Sequence, residues 1–443
     1  MELRNRTGSL AQPSASGTKR PRSRSASESG SERPAPALRT ETTADTDPAP
    51  GPGPDPDSAP APAAQGRGPE AESEEAEIQA PAQVHQALPE RRFDIDPDGD
   101  LLLAIGEEYQ GATPATFRAD SRALTRPSTV FRQMLHGGFA ESHRPARGDW
   151  VIRLPEDSPS TFYILLSIFH TQFDKVPQDE LKGSRIQLIY DLAITTDKYD
   201  LTHCLRPWAH LWSALRLQQA TELNNRKQPG AHNASSYVAL QKCLWITWEL
   251  GNLAEFERII VELAWCSRLD DNGSLWSPAT AHGTKAVLFN ESFEPEEAFE
   301  TIHATRQKVV SRLLTPLLSW VESLIPDVAH ELHSETSSVD AMLGATLRSM
   351  KKFRLWPMPN RDTYAGTVYQ LVAALRAVSK SLSNDQQHHY SQLNVKMSDL
   401  SRHVDGILRD KIDNNLRPVL QACQVEHLEA RGKRTGLYRP AVG

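Results

Sequence analysis

Two places in this 443-residue chain bring metal-ligating side chains close together in sequence. His388-His389 stands beside Tyr390, and Cys423 and His427 lie four residues apart, a spacing that puts thiol and imidazole on one face if the segment is helical. A structural zinc site needs about four converging ligands. No second pair lies at a matching spacing, so no metal is expected. Glu296, Glu297 and Glu300 offer carboxylates for acid–base work, but they sit at the start of an expected helix, where the helix dipole favours acids for structural reasons. Gly137-Gly138 lacks the Lys and Ser/Thr of a phosphate loop. The serine-hydrolase elbow, the dinucleotide fingerprint and the paired-histidine metalloprotease helix are absent. The expectation is a protein that is not an enzyme, with no catalytic residues and no cofactor.

The elements that would position any site come next. Leu101-Leu102-Leu103-Ala104-Ile105, between Gly99-Asp100 and Gly106, is too short for a helix and suits a strand buried on both faces. After Phe117-Arg118-Ala119 comes a mostly helical stretch with Leu124, Ser128, Phe131 and Leu135 three or four apart, ending at Gly137-Gly138. A second strand, Trp150–Leu154, stops at Pro155. Asp157-Ser158-Pro159 then supplies a cap and a first-turn proline for a helix running to about His170. Further helices carry Ile186, Ile189, Leu192 and Ala193, and then Leu205, Trp208, Leu211, Trp212 and Leu215.

Residues 218–235 form a polar linker broken at Pro229-Gly230. From 236 to 443 the pattern is helical. Val238, Leu244, Trp245 and Trp248 lie on one helix, and Gly251-Asn252 separates it from another with Phe256, Ile259, Ile260, Leu263 and Ala264. Residues 267–290 read as a loop. A long helix is expected from Pro295, kinked at Pro316 and stopped by Pro326. Three more patterns follow, around Leu347, Leu371 and Leu400. Trp208, Trp212, Trp245, Trp248 and Trp265 fall on apolar faces and are expected in the core.

Bulk composition bounds the rest. The apolar fraction is 39%, below the roughly 45–50% of globular chains. The deficit is concentrated in residues 1–90, where Pro, Ser, Ala and Gly dominate and too little apolar surface exists to offset backbone entropy, so this tail is expected to be disordered. Its charge is segregated. Arg4, Arg6, Lys19, Arg20, Arg22 and Arg24 form a basic head, whereas Arg67 is the only basic residue between Glu41 and Glu77. A net charge of −7 argues against direct nucleic-acid binding, and no apolar run approaches the roughly 20 residues that span a bilayer. Four scattered cysteines read as free thiols of an intracellular protein, nuclear or cytoplasmic.

The order of these pieces resembles the BTB/POZ domain, in the variety found in fungal BTB proteins of unknown role. The resemblance lies in "GDLLLAIG", Phe117 with Leu124, Ser128 and Phe131, Phe139-Ala140-Glu141-Ser142, "VIRLPEDSPSTFYILLSIFH", "LAITTDKYD" and "CLRPWA". "ITWELGNLAEFERI" and "HLEARGKRTGLY" extend it toward the end of the chain. It implies an α+β fold: a BTB/POZ domain at 91–217, a small sheet with a helical cluster, followed by an all-α region. Two features depart from the family. Asp120 stands where a histidine is usual, and the segment before Asp100 has no amphipathic helix of the kind that BTB dimers exchange.

The resemblance also implies a function. Phe139 and Glu141 are similar to the hydrophobic-x-Glu element with which some BTB domains grip cullin scaffolds. An exposed aromatic fills a pocket while the acid fixes orientation through a charged hydrogen bond. The reading is a protein–protein interaction module, a scaffold or adaptor that binds protein partners or associates with itself. The alternatives are a substrate adaptor of a cullin-type ubiquitin ligase, and a transcription-associated regulator acting through a DNA-bound partner.

Overall fold

The apolar run Leu101–Ile105 forms strand β2, with all five residues buried. It is hydrogen-bonded on both sides, antiparallel to β3 (Ala115–Ala119) and parallel to β4 (Trp150–Leu154), so that Leu103 lies opposite both Phe117 and Ile152. A strand covered on both faces needs no alternation of apolar and polar residues, and this one has none. β4, at the sheet edge, alternates instead. The sequence offered no signal for the strand β1 (Arg92–Asp94), which pairs parallel to β3 and gives the order β1-β3-β2-β4. Three residues are too few for a period. What seats β1 is a long-range contact, the stacking of Phe93 on Phe117 at 5.2 Å.

The computed structural model describes residues 87–178, 185–213, 234–277, 286–290, 292–325, 336–383, 391–412 and 415–438. The expected disordered tail, all of it but residues 87–90, lies outside them, as do most of the 218–235 linker, Leu215, Pro326 and His388-His389. Within them the protein is α+β, a small sheet with twelve helices. No described helix is long and apolar enough to cross a membrane.

The helical stretch after β3 is two helices, α1 (Ser121–Thr125) and α2 (Thr129–His136). Arg126 keeps helical backbone, but Pro127 has no N–H to continue the ladder, and Ser128, in extended backbone, restarts the helix as a cap. Its hydroxyl accepts from Phe131 N at 3.0 Å and donates to the Tyr199 carbonyl at 2.7 Å. Asp120 caps α1 through the Arg122 amide, and its own amide donates to His170 Nε2 at 3.1 Å. Because His170 Nδ1 donates to the Leu166 carbonyl, Nε2 is left free to accept. Ser158 and Pro159 open α3 (Pro159–Phe169) as expected. α4 (Arg185–Lys198) follows. The single helix expected around Trp208 is instead a 3₁₀ turn (Thr202–Leu205) and a short α5 (Ala209–Ser213), because Pro207 falls between them.

The rest of the chain contributes α6 (Ala234–Leu250), α7 (Leu253–Cys266), α8 (Ala298–Ser323), α9 (Thr336–Lys352), α10 (Val368–Ser383), α11 (Ser391–Ile412) and α12 (Ala422–Thr435). The expected loop at 267–290 contains a small hairpin, β5 (Arg268–Leu269) with β6 (Leu275–Trp276). α8 starts at Ala298 rather than Pro295 and continues through Pro316. That proline has no N–H for the Arg312 carbonyl one turn back, and His403 Nε2 of α11 donates to this oxygen at 2.9 Å. A defect in one helix thereby becomes a link between two.

The described residues form one compact unit with two apolar cores. The first joins the sheet to α6 and α7, and the second lies among α7 to α11. Trp265 belongs to the second core although its helix, α7, also lines the first.

α12 fastens the last helix back onto the first half. Arg431 binds Asp197 of α4, Thr202 Oγ1 at 2.9 Å, and Glu249 of α6 at 3.2 Å, while Arg434 pairs with Asp200. Thr435 donates to the Leu250 carbonyl at 2.7 Å. Between these bonds the backbones nearly touch. Gly251 has φ +71°, and a Cβ there would lie 2.0 Å from Gly432 N. The Gly251→Ala variant should therefore lose about 2–4 kcal/mol in urea unfolding, through backbone strain and displacement of α12.

Glu249 lies in this seam, almost wholly buried. Burial pushes its carboxyl up to about 8, because Arg431 divides its charge among three acceptors and cannot offset the lost hydration. His427 stacks flat on Trp248 at 3.8 Å, and burial together with Arg431 pushes its imidazole down to about 4. Above pH 6.5 only Glu249 matters of the two. The folded protein holds its proton there and the unfolded chain does not, so stability should fall as pH rises from 6.5 to 8. Below 6.5 the imidazole acts in the opposite sense. Thermal melts across that window should show the decline, and Glu249→Gln should flatten it.

Candidate interaction surface

The loop after α2 carries Phe139 and Glu141. α2 ends when Gly137 N bonds the Gln133 carbonyl at 2.6 Å, and Gly138, at φ +84°, turns the chain outward. Phe139 is 58% exposed, where a phenyl ring gains nothing from the core. Its backbone is nonetheless well held. The Phe139 carbonyl accepts from Ser142 Oγ at 2.6 Å and from His143 Nδ1 at 3.0 Å, closing a 3₁₀ turn over Ala140–Ser142.

Glu141 is also exposed, and its contribution to the loop is made by the backbone. The Trp150 indole N–H donates to the Glu141 carbonyl at 2.8 Å, tying the loop to the first residue of β4. Arg144 covers the Trp150 ring at 4.1 Å and pairs with Asp100 at 2.9 Å. Asp100, just before β2, also accepts from Ser121 N at 2.8 Å and Ser121 Oγ at 2.9 Å. Partial burial raises the Asp100 carboxyl, but the two Ser121 bonds and Arg144 outweigh it and hold it below the ordinary value. Two side chains are thus free to meet a partner while every bond fixing their backbone comes from the sheet or the turn itself.

Sequence reasoning singled out Phe139 and Glu141 but not the Asp100, Arg144 and Trp150 that anchor them. Trp150 was legible as the first apolar residue of a strand, whereas nothing in the spacing pairs Arg144 with Asp100, 44 positions away. Phe173 is a second exposed aromatic, 50% accessible, with its ring 5.9 Å from Trp208. Beside β1 lies a groove of about 440 Å³, walled by Phe93, Tyr163, Ile164 and Leu188 with Arg91 and Lys175.

The other candidates are not brought together. Cys423 is half-buried, and His427 is stacked on Trp248. Among the described residues no group of three or more His, Cys, Asp or Glu could hold a metal ion. Glu297 stands at the N-cap position of α8 without a side-chain capping bond, and Glu300 lies in the first turn, where the dipole favours an acid. Four of the five tryptophans expected in the core are buried and Trp245 packs partly buried against it. Comparison with protein-family models, curated proteins and solved structures finds no match for this chain.

The anchoring makes a checkable demand. Asp100→Asn removes the charge that holds Arg144, so amide hydrogen exchange over residues 139–149 should quicken while β2 itself keeps its protection. In the unsubstituted protein the Asp100 contribution is present above the ordinary carboxylate range. It should be lost as acid protonates the folded group, since that pKa is depressed.

Proposed function

We propose that residues 91–217 are a BTB/POZ-type unit and that the protein works as an interaction module, a scaffold or adaptor without catalysis of its own. The observation that carries this reading is Phe139, an exposed phenyl ring on a turn pinned through Trp150 and Arg144 to the sheet. A flexible loop would lose conformational freedom on binding, whereas a fixed aromatic presents its area already ordered. Glu141, two residues on, supplies an acceptor for a charged hydrogen bond from a partner.

The narrower form of the proposal, a substrate adaptor of a cullin-type ligase, draws on the same pair and on the resemblance of the Phe139-Ala140-Glu141 element. Affinity purification of the full chain from its native cell should recover a partner that the Phe139→Ala, Glu141→Ala double variant loses. A cullin among the lost proteins selects the adaptor form. Because both side chains are exposed, the variant should melt within about 0.5 kcal/mol of the parent. Unchanged recovery of every partner would dispose of this surface as the binding site.

A further inference from the structure

α10 and α11 pack through apolar stripes, Leu371, Leu375, Val378 and Leu382 from one and Met397, Leu400, Val404 and Ile407 from the other, all buried. Their polar stripes border a shared groove of about 480 Å³. Arg376 and Lys380 stand one turn apart on α10. Arg402, Asp405 and Arg409 follow one another along α11. Four cations therefore face one carboxylate in a chain whose net charge is −7. Asp405 is taken by Arg376, whose Nε donates to it at 3.0 Å, and Arg402 leans on Asp399 at 2.7 Å. Lys380 and Arg409 have no carboxylate partner among the described residues. Like charges gathered in a concavity repel more than the same charges on a ridge, because the low-dielectric walls focus their field.

Gly406 is a second, independent sign. It sits in the middle of α11, one turn from Arg402 and from Arg409, and a Cβ there would meet nothing within 4 Å. Packing gives no reason for glycine at a position where alanine would be better by roughly 0.5–1 kcal/mol. A bare backbone on this face leaves room between the two arginines.

We propose that this groove binds a ligand carrying several phosphoryl groups. Arg402 and Arg409 are separated by about 10 Å along the helix axis, more than a single phosphate spans, so phosphoryl groups in series fit the spacing. Arginine forks and a lysine point charge suit phosphate oxygens, and Ser383 and Ser401 add hydroxyl donors at the wall. A lone carboxylate would leave most of the positive charge unmatched. The site is open, so binding weakens as salt is added.

The test uses the full chain and two probes at low ionic strength: calorimetric titration with inorganic tripolyphosphate, and flotation with phosphatidylcholine vesicles containing phosphatidylinositol bisphosphate. Lys380→Ala with Arg409→Ala should weaken binding by about tenfold or more. Gly406→Glu, which sets a negative charge on the same face, should do likewise. Lys351→Ala with Lys352→Ala removes the same charge from α9 and should leave binding unchanged. Tripolyphosphate binding marks the ligand as soluble, and binding to vesicles alone marks it as a lipid headgroup. Failure of both probes, or equal losses in the α9 control and the groove variants, overturns the proposal.

Discussion

The structure depends on β2 having a hydrogen-bonded neighbour on each side and apolar cover on each face. Every backbone N–H and C=O in a buried strand must be paired, because an unpaired one costs as much as a lost hydrogen bond. β3 and β4 meet that demand, and each is in turn constrained by it. β3 leads straight into Asp120 and the α1 cap, and β4 begins with the Trp150 whose indole holds the exposed loop. Asp100, immediately before β2, reaches the same loop through Arg144. The bonds that hold the turn carrying Phe139 therefore lead back to β2, whose five residues are all buried.

The second constraint is how the end of the chain closes on the first half. A junction made only of apolar contacts would tolerate sliding. This one has directional bonds instead: Arg431 and Arg434 to the end of α4 and the turn after it, Thr435 to the end of α6, and Gln424 to the start of α8. Gly251 and Gly432 allow the backbones close enough for those bonds to form. Burying Glu249 among them penalises its ionised form, so the carboxyl keeps its proton up to about pH 8. The result is a seam with one register, linking α4, α6, α8 and α12.

Local rules made much of this legible. Five apolar residues between turn formers gave β2, Ser158-Pro159 gave the start of α3, and Gly251-Asn252 gave the α6–α7 break. What failed to show depended on distant contacts or on competing local signals. β1 is three residues held by Phe117, and the β5–β6 hairpin has two residues per strand, too few for any period. Pro207 was overridden in the reading by the Trp208–Trp212 spacing, although a proline inside a helix is the stronger signal. Pro316, read as lying inside the long helix, does lie within α8, and what the reading could not show is that His403, 91 positions away in sequence, takes up the carbonyl it orphans. The candidate surface followed the same division: Phe139 and Glu141 were visible as a short pattern, while their anchors became visible only when the sheet brought residues 100, 144 and 150 together.

Two kinds of surface emerge from one folding logic. At the 137–149 loop the fold spends its hydrogen bonds on the backbone and leaves an aromatic and an acid outward, which suits a partner recognised by shape. Between α10 and α11 the apolar stripes are satisfied by each other, and what remains is charge of one sign in a concavity. The two lie on different elements and use different physics, the first desolvation and the second screening-sensitive attraction. Because α10 and α11 belong to the second apolar core, and the loop's anchor Trp150 to the first, an anion at the groove would stabilise the helices around it without touching the bonds that aim Phe139. Coupling between them has two helices to pass through, α7 and α8, each of which contributes buried side chains to both cores.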